Sequence, residues 1–132
     1  MTTAQLPAVS SGTWQVDPIH SSVEFLVTET KSSFRVIAGR FTDFEGTLTT
    51  GPTDGDWRAK GVIRSSSLTT AQDQRDAHLR SPDFLNVAAF PEIRFESERT
   101  EFMDGNRLRV VGRVVLQGQA QPLTLQGTIH GY

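Results

Sequence analysis

The sequence predicts a mainly β fold, an antiparallel β-barrel of about seven to eight strands with one helical lid segment near residues 71–80. Three observations predict it. Apolar and polar residues alternate with period two in several separate runs, the pattern of half-buried strands. The runs follow one another across short turn signals, as in a meander whose apolar faces close on each other or on a second sheet. Alternation gives way only between Thr69 and Ser97, where Ala71 to Leu79 contains no β-branched residue, Gly or Pro and so reads as helix.

A chain of 132 residues holds one domain with a single core. Residues 1–12 are small, polar and aperiodic, which predicts a flexible tail before a domain over 13–132. The formal charge of -2 leaves no basic surplus for phosphates, so nucleic acid is not an expected partner. The absence of cysteine excludes a disulfide framework, a thiolate zinc site and a cysteine nucleophile. No run approaches the roughly 20 apolar residues of a membrane span. The N-terminus shows neither a basic segment nor an apolar one, so the expected location is cytoplasmic, or periplasmic or secreted if a leader has been removed.

In order along the chain, Trp14 to Asp17 forms a short strand that stops at Pro18. Val23, Phe25 and Val27 then share one face opposite Ser22, Glu24 and Leu26. A polar connection, Glu29 to Ser33, leads into a run from Phe34 to Thr50, in which Gly39 and Gly46 are expected to mark bends or close backbone approaches. Phe44, Gly46 and Leu48 share a face there. A dense turn over residues 51–56 precedes Trp57, Ala59, Gly61 and Ile63, which oppose Arg58, Lys60, Val62 and Arg64.

The helix expects an N-cap from the hydroxyls of Thr69 and Thr70 and a stop at Ser81-Pro82. Gln72, Asp76 and Arg80 share one of its sides, and it suits either the lid of a hollow barrel or a solvated connection with ordinary ion pairs. Three further strands follow. They place Ile93 and Phe95, then Leu108, Val110, Gly112, Val114 and Leu116, then Leu123, Leu125 and Ile129 on apolar faces, with a turn at Asp104-Gly105-Asn106. The count is seven strands and one helix. Periodicity alone leaves open whether the interior is packed solid or holds one small ligand.

Three separated stretches resemble one family. Trp14-x-Val16-Asp17-x-x-His20-Ser21-x-Val23-x-Phe25 is similar to the N-terminal pattern of the YceI-like proteins. Arg75-Asp76-x-His78-Leu79-x-Ser81-x-Asp83-Phe84, followed by Phe90-Pro91-x-Ile93-x-Phe95-x-Ser97, is similar to their middle segment. Gly112 to Gly118 with Pro122-Leu123-Thr124-Leu125 resembles a later one. The resemblance implies a lipocalin-like barrel whose apolar tunnel binds, sequesters or transports a long isoprenoid chain, such as a polyprenyl phosphate or a quinone tail. It makes Phe25, Val27, Phe44, Leu48, Ile63, Phe84, Phe90, Ile93, Phe95, Leu108, Val110, Leu125 and Ile129 wall or mouth candidates. Asp17, His20, Arg75, Asp76 and His78 become the polar set near the mouth. Members of the family usually run on past the position of Tyr132, which implies either a barrel of fewer strands or an exposed edge paired in a homodimer.

The chemistry of the polar set reads in more than one way. The planar fork of Arg75 suits an oxyanion head group, or an ion pair with Asp76, Asp73 or Asp17 that pins the helix. Asp17 with His20 reads as a hydrogen-bonded strand corner. An alternative is an enzyme of cyclase or isomerase type, acting on a polyene or polyketide with His20, His78 and Asp76 as acid/base groups. No G-x-S-x-G elbow or phosphate loop supports a further catalytic class. His20, His78 and His130 lack the spacing of a metal site, so neither metal nor cofactor is expected. A non-catalytic, partner-binding barrel is the third reading.

Overall fold

The computed structural model describes residues 11–29 and 35–129. The expected tail over residues 1–10 and His130 lie outside them, as does the side chain of Val27. The described chain runs β1 (Gly12–Gln15), β2 (Val23–Glu29), β3 (Arg35–Phe41), β4 (Phe44–Thr50), β5 (Arg58–Arg64), β6 (Leu68–Thr69), α1 (Asp73–Arg80), β7 (Glu92–Phe102), β8 (Arg107–Leu116) and β9 (Gln119–Thr128). A six-stranded sheet has the order β1-β4-β5-β7-β8-β9, and a three-stranded sheet the order β2-β3-β6. Each of the pairings β1 with β4, β2 with β3, β3 with β6, β4 with β5, β5 with β7, β7 with β8 and β8 with β9 is antiparallel. The fold is mainly antiparallel β and barrel-like, although among the described residues the sheets do not join into a closed ring.

Over its described residues, 35–50, the long run expected from Phe34 to Thr50 is two strands, and it breaks at Thr42-Asp43 rather than at either glycine. There the chain leaves one sheet for the other. Thr42 N–H and its hydroxyl donate to the Ser67 carbonyl, both at 3.2 Å, and Asp43 N–H donates to the Ser67 hydroxyl at 3.0 Å. That hydroxyl donates to the Arg64 carbonyl at 2.7 Å. The chain between β5 and β6 therefore turns the same corner beside it, and Leu68 and Phe41 pair across it, both buried. Gly39 lies inside β3 because its partner Phe25 occupies the space a side chain would need: a Cβ there would sit 2.4 Å from the Phe25 ring.

The helix begins two residues later than expected. Ala71 takes a left-handed φ of 64°, which no helix accommodates, so Gln72 becomes the cap and accepts from Arg75 N–H at 2.5 Å. In β7 a bulge between Ser97 and Arg99 shifts the alternation by one, which brings Thr100 and Phe102 onto the face of Ile93 and Phe95. Trp57, only 2% exposed, meets Phe102 edge-on at 4.8 Å and accepts at its carbonyl from the buried Thr100 hydroxyl. This cluster closes the end of the sheet far from α1. Ser67→Ala is expected to lower the unfolding free energy by about 1–3 kcal/mol, since it strips a partner from two sheet-crossing segments. Ser66→Ala, exposed and acting only through its backbone, should change it by less than about 0.5 kcal/mol in the same urea titration.

Candidate functional site

Register places Phe44, Leu48, Ile63, Ile93, Phe95, Leu108, Val110 and Leu125 on one face of the six-stranded sheet. Phe44, Ile63 and Ile93 form one cross-strand row, Phe95 and Val114 a second, Val110 and Leu125 a third. Alternation adds Phe102, Val114 and Leu123 to this face. No charged residue falls on it along β4, β5, β7, β8 or β9. Apart from buried Phe44 and exposed Leu125, these side chains are half-buried. Each of the half-buried ones is therefore only partly covered by other residues. In the small sheet Phe25 joins Phe41 at 5.1 Å between ring centroids. Phe95, like Phe25, crosses a glycine, since a Cβ on Gly112 would lie 2.9 Å from its ring tip. Rings lying over glycines stay against the wall.

The opposite face of the sheet carries the charge. Arg64 reaches Glu45 and Glu92, both at 3.1 Å, Arg113 reaches Glu98 at 2.9 Å, and Glu101 takes both Arg99 at 2.8 Å and Arg109 at 3.3 Å. A concavity of about 730 Å³ touches this face, bordered by Glu45, Lys60, Arg94, Glu96 and Arg113. It is an open trough in which Glu45 pairs with Arg64, Arg94 with Glu92 and Arg113 with Glu98. A second, of about 740 Å³, is bordered by Glu24, Leu26, Ala38, Arg40 and Thr69, which alternate away from Phe25 and Phe41. Neither concavity is centred on the apolar face, and the apolar face is the stronger candidate because its side chains are uncharged and contiguous.

At one end of that face lies α1. Asp76, 3% exposed, accepts from the Thr70 N–H at 2.9 Å and from the Thr70 hydroxyl at 2.5 Å. Burial pushes its carboxyl up, but the two Thr70 donors and the Arg80 charge outweigh this and hold it below the usual value of 3.8. Arg75 donates to the Thr70 hydroxyl at 2.8 Å and carbonyl at 3.0 Å, and Arg80 to the carbonyls of Ser66 at 3.0 Å and Leu68 at 2.7 Å. The expected cap Thr70 is thus the anchor of the helix to the small sheet, and Arg75 bonds it instead of pairing with Asp73, Asp76 or Asp17. After α1, the Phe84 carbonyl accepts from the Gln117 side chain, and the Phe90 ring lies against Gly118, 3.1 Å from where its Cβ would be. The segment spans from the small sheet to the β8–β9 turn.

The remaining polar candidates keep to their own neighbourhoods. Asp17 and His20 pair at 2.6 Å on an exposed turn, and this bond, with the Ile19 N–H, holds the Asp17 carboxyl low. His78 lies 3.6 Å from Asp83 and edge-on to the exposed Phe84 at 4.9 Å. Among the described residues no hydrogen bond joins His20, His78 and Asp76, and no three metal-ligating side chains converge. Ile129 closes the β7–β8 hairpin end, its N–H donating to Asn106 at 2.9 Å. Sequence reasoning expected Thr70 to cap the helix where it binds Asp76, and it did not foresee the bonds of Arg80 to the Ser66 and Leu68 carbonyls or of Gln117 to the Phe84 carbonyl. It missed Phe102 because the bulge hides the change of phase.

The described chain is a barrel-like antiparallel β fold with one charge-free face and a helix at one end of it. A family model for the YceI-like domain matches residues 14–132, and the chain belongs to that family. Protein YceI of Salmonella newport (strain SL254) is 34% identical over 113 residues, covering 85% of this chain and 58% of that protein. A UPF0312 protein of Yersinia pestis (strain Pestoides F) is 34% identical over 113 residues, 85% of this chain and 57% of its own. The chain thus spans less than two thirds of these curated relatives. Among solved structures, Burkholderia cenocepacia BcnA is similar with a TM-score of 0.79 at 20% identity, covering 89% of this chain and 72% of that one. A polyisoprenoid binding domain from Saccharophagus degradans, implicated in plant cell wall breakdown, gives 0.62 at 17%, covering 89% and 66%. At these identities the two structures show a shared fold.

The low carboxyl of Asp76 sets a pH dependence. A group whose folded pKa is depressed contributes stability above its unfolded pKa and loses it as pH falls through the folded one. The unfolding free energy should therefore drop as pH falls below about 4, and Asp76→Asn should flatten that slope without abolishing it, because Asp17 and Glu101 are shifted in the same direction. Urea titrations between roughly pH 6 and pH 3, the window that linkage dictates, check it. Equal slopes in the two proteins would contradict the assignment.

Proposed function

We propose that the chain binds a long apolar ligand of isoprenoid type, a polyprenyl phosphate or quinone-like molecule, along the charge-free face, and sequesters or transports it. The observation that carries this reading is the length and uniformity of that face, which runs from the corner beside α1 to the Trp57 cluster. β7 has 11 residues, which at about 3.3 Å per residue is roughly 35 Å from the lid to the Trp57 cluster. A compact substrate needs no wall of that length, whereas a flexible hydrocarbon does. Burial of apolar area supplies the affinity, at about 25 cal/mol per Å², and needs no precise polar geometry along the wall. The polyisoprenoid binding named for the Saccharophagus degradans domain supports the same ligand class.

In this reading α1 and the segment after it cover the entrance, and Arg75 and His78 supply donors to a head group there. The latch on Thr70 gives the lid a definite position. Its other side rests on Gln117 and Gly118 by lighter contacts, and that is the side that opens.

Phe25→Asp and Phe95→Asp are each expected to weaken uptake of a fluorescent polyprenyl phosphate by about 10- to 100-fold, since each loses the burial of one aromatic ring and places a carboxylate in the wall. Arg94→Ala, on the charged face, should leave uptake unchanged. Fluorescence titration checks it, with circular dichroism to establish folding. Retained uptake in both folded aspartate variants would overturn the wall assignment.

A further inference from the structure

The charge-free face changes character along its length. Beyond the row of Phe44, Ile63 and Ile93, the next positions of β5 on that face are Gly61 and then Ala59, which project little from the wall. The following position, just before β5 begins, is Trp57. Its indole is held from several directions. The ring N–H donates to the Gly51 carbonyl at 3.1 Å, the Trp57 carbonyl accepts from the Thr100 hydroxyl at 3.0 Å, and Phe102 meets the ring edge-on at 4.8 Å. A buried side chain packed this closely has little room to swing aside.

The second tryptophan stands at the same end. Trp14 pairs with Leu48 across β1 and β4, which puts its side chain on the same face, and its ring N–H donates to the buried Thr50 hydroxyl at 3.1 Å. The chain has two tryptophans, and both therefore lie at the end of the face remote from α1. Trp57 is buried there, whereas the Trp14 ring is exposed.

We propose that Trp57, braced by Phe102, is the stop for the far end of the isoprenoid chain and so sets the longest chain held along the face. The inference rests on the ligand reading above and deepens it, with the head group by α1 and the tail end against the tryptophans. A hydrocarbon gains affinity with each isoprene unit laid on the wall, because burial is proportional to area. A unit beyond the stop has no wall to lie on and must fold back or remain in water, so it adds ordering cost without burial. Trp57 and Phe102 are then specificity-determining residues, and they select for chain length where the rest of the wall selects only for apolarity.

Titration with a series of polyprenyl phosphates of increasing length tests it. Affinity for the unaltered protein should climb with length and cease to climb at a definite chain. Phe102→Ala removes the brace and should move that limit to a longer chain, binding the first chain past the old limit about 10-fold more tightly than the unaltered protein does. The tryptophans give an arm that needs no variant. A chain of the limiting length with a nitroxide at the end remote from the phosphate should quench most of the tryptophan emission. The same label beside the phosphate should leave it, and the terminal label on a shorter chain should quench less. Affinity with no limit in length, a limit unmoved in folded Phe102→Ala, or a terminal label that quenches no better than the head label would each overturn the stop while leaving the ligand reading in place. Uptake of no chain of any length would overturn both.

Discussion

The hydroxyl of Ser67 joins two passages of chain that leave one sheet for the other, accepting from Asp43 N–H and donating to the Arg64 carbonyl. Everything inside the barrel depends on that crossing. Without it, the sheet of β2, β3 and β6 would have no fixed angle to the sheet of β4, β5 and β7. Buried Ser65 extends the same joint, its hydroxyl donating to the Phe90 carbonyl at 2.8 Å and its N–H to Pro91 at 2.9 Å, which fixes where β7 begins. Small hydroxyl side chains suit this role, since they satisfy backbone groups that a turn of both strands would otherwise leave without ladder partners.

From that corner the two faces of the large sheet take opposite chemistry. The charged face is covered by pairs such as Arg113 with Glu98, exposed and individually worth little, which keep the outside wetted. The inner face has large apolar side chains on small neighbours. Phe25 over Gly39 and Phe95 over Gly112 spread along the wall, so the face is broad without being filled. Buried apolar side chains gather instead at Phe41, Phe44 and Leu68 by the corner and at Trp57 by the far end. Buried apolar packing is thus concentrated at the two ends of the sheet.

Most of this was legible in the alternation of the sequence. A period of two assigned Phe44, Leu48, Ile63, Ile93, Phe95, Leu108, Val110 and Leu125 to apolar faces without any knowledge of register, and all eight share one side of one sheet. What escaped depends on contacts between distant residues or on single backbone angles. Nothing local in Thr70 says that it will bind Asp76 instead of capping the helix, and nothing local in Ala71 forecasts its left-handed φ. Alternation leaves Gly39 as either a bend or a close approach, and in β3 it is a seat for an aromatic ring from the neighbouring strand. Likewise Ser67, one of three consecutive serines, differs from Ser66 only through what the corner brings to it.

Native mass spectrometry of the chain purified without detergent, repeated after solvent extraction, tests the central claim most directly. Binding along the charge-free face, as proposed, predicts one apolar molecule per chain at near-stoichiometric level, lost on extraction and regained when a long-chain isoprenoid is added back. A chain that carries nothing and takes up no added isoprenoid would contradict the account, and would mean that the space beside Phe25 and Phe95 is not open to a ligand.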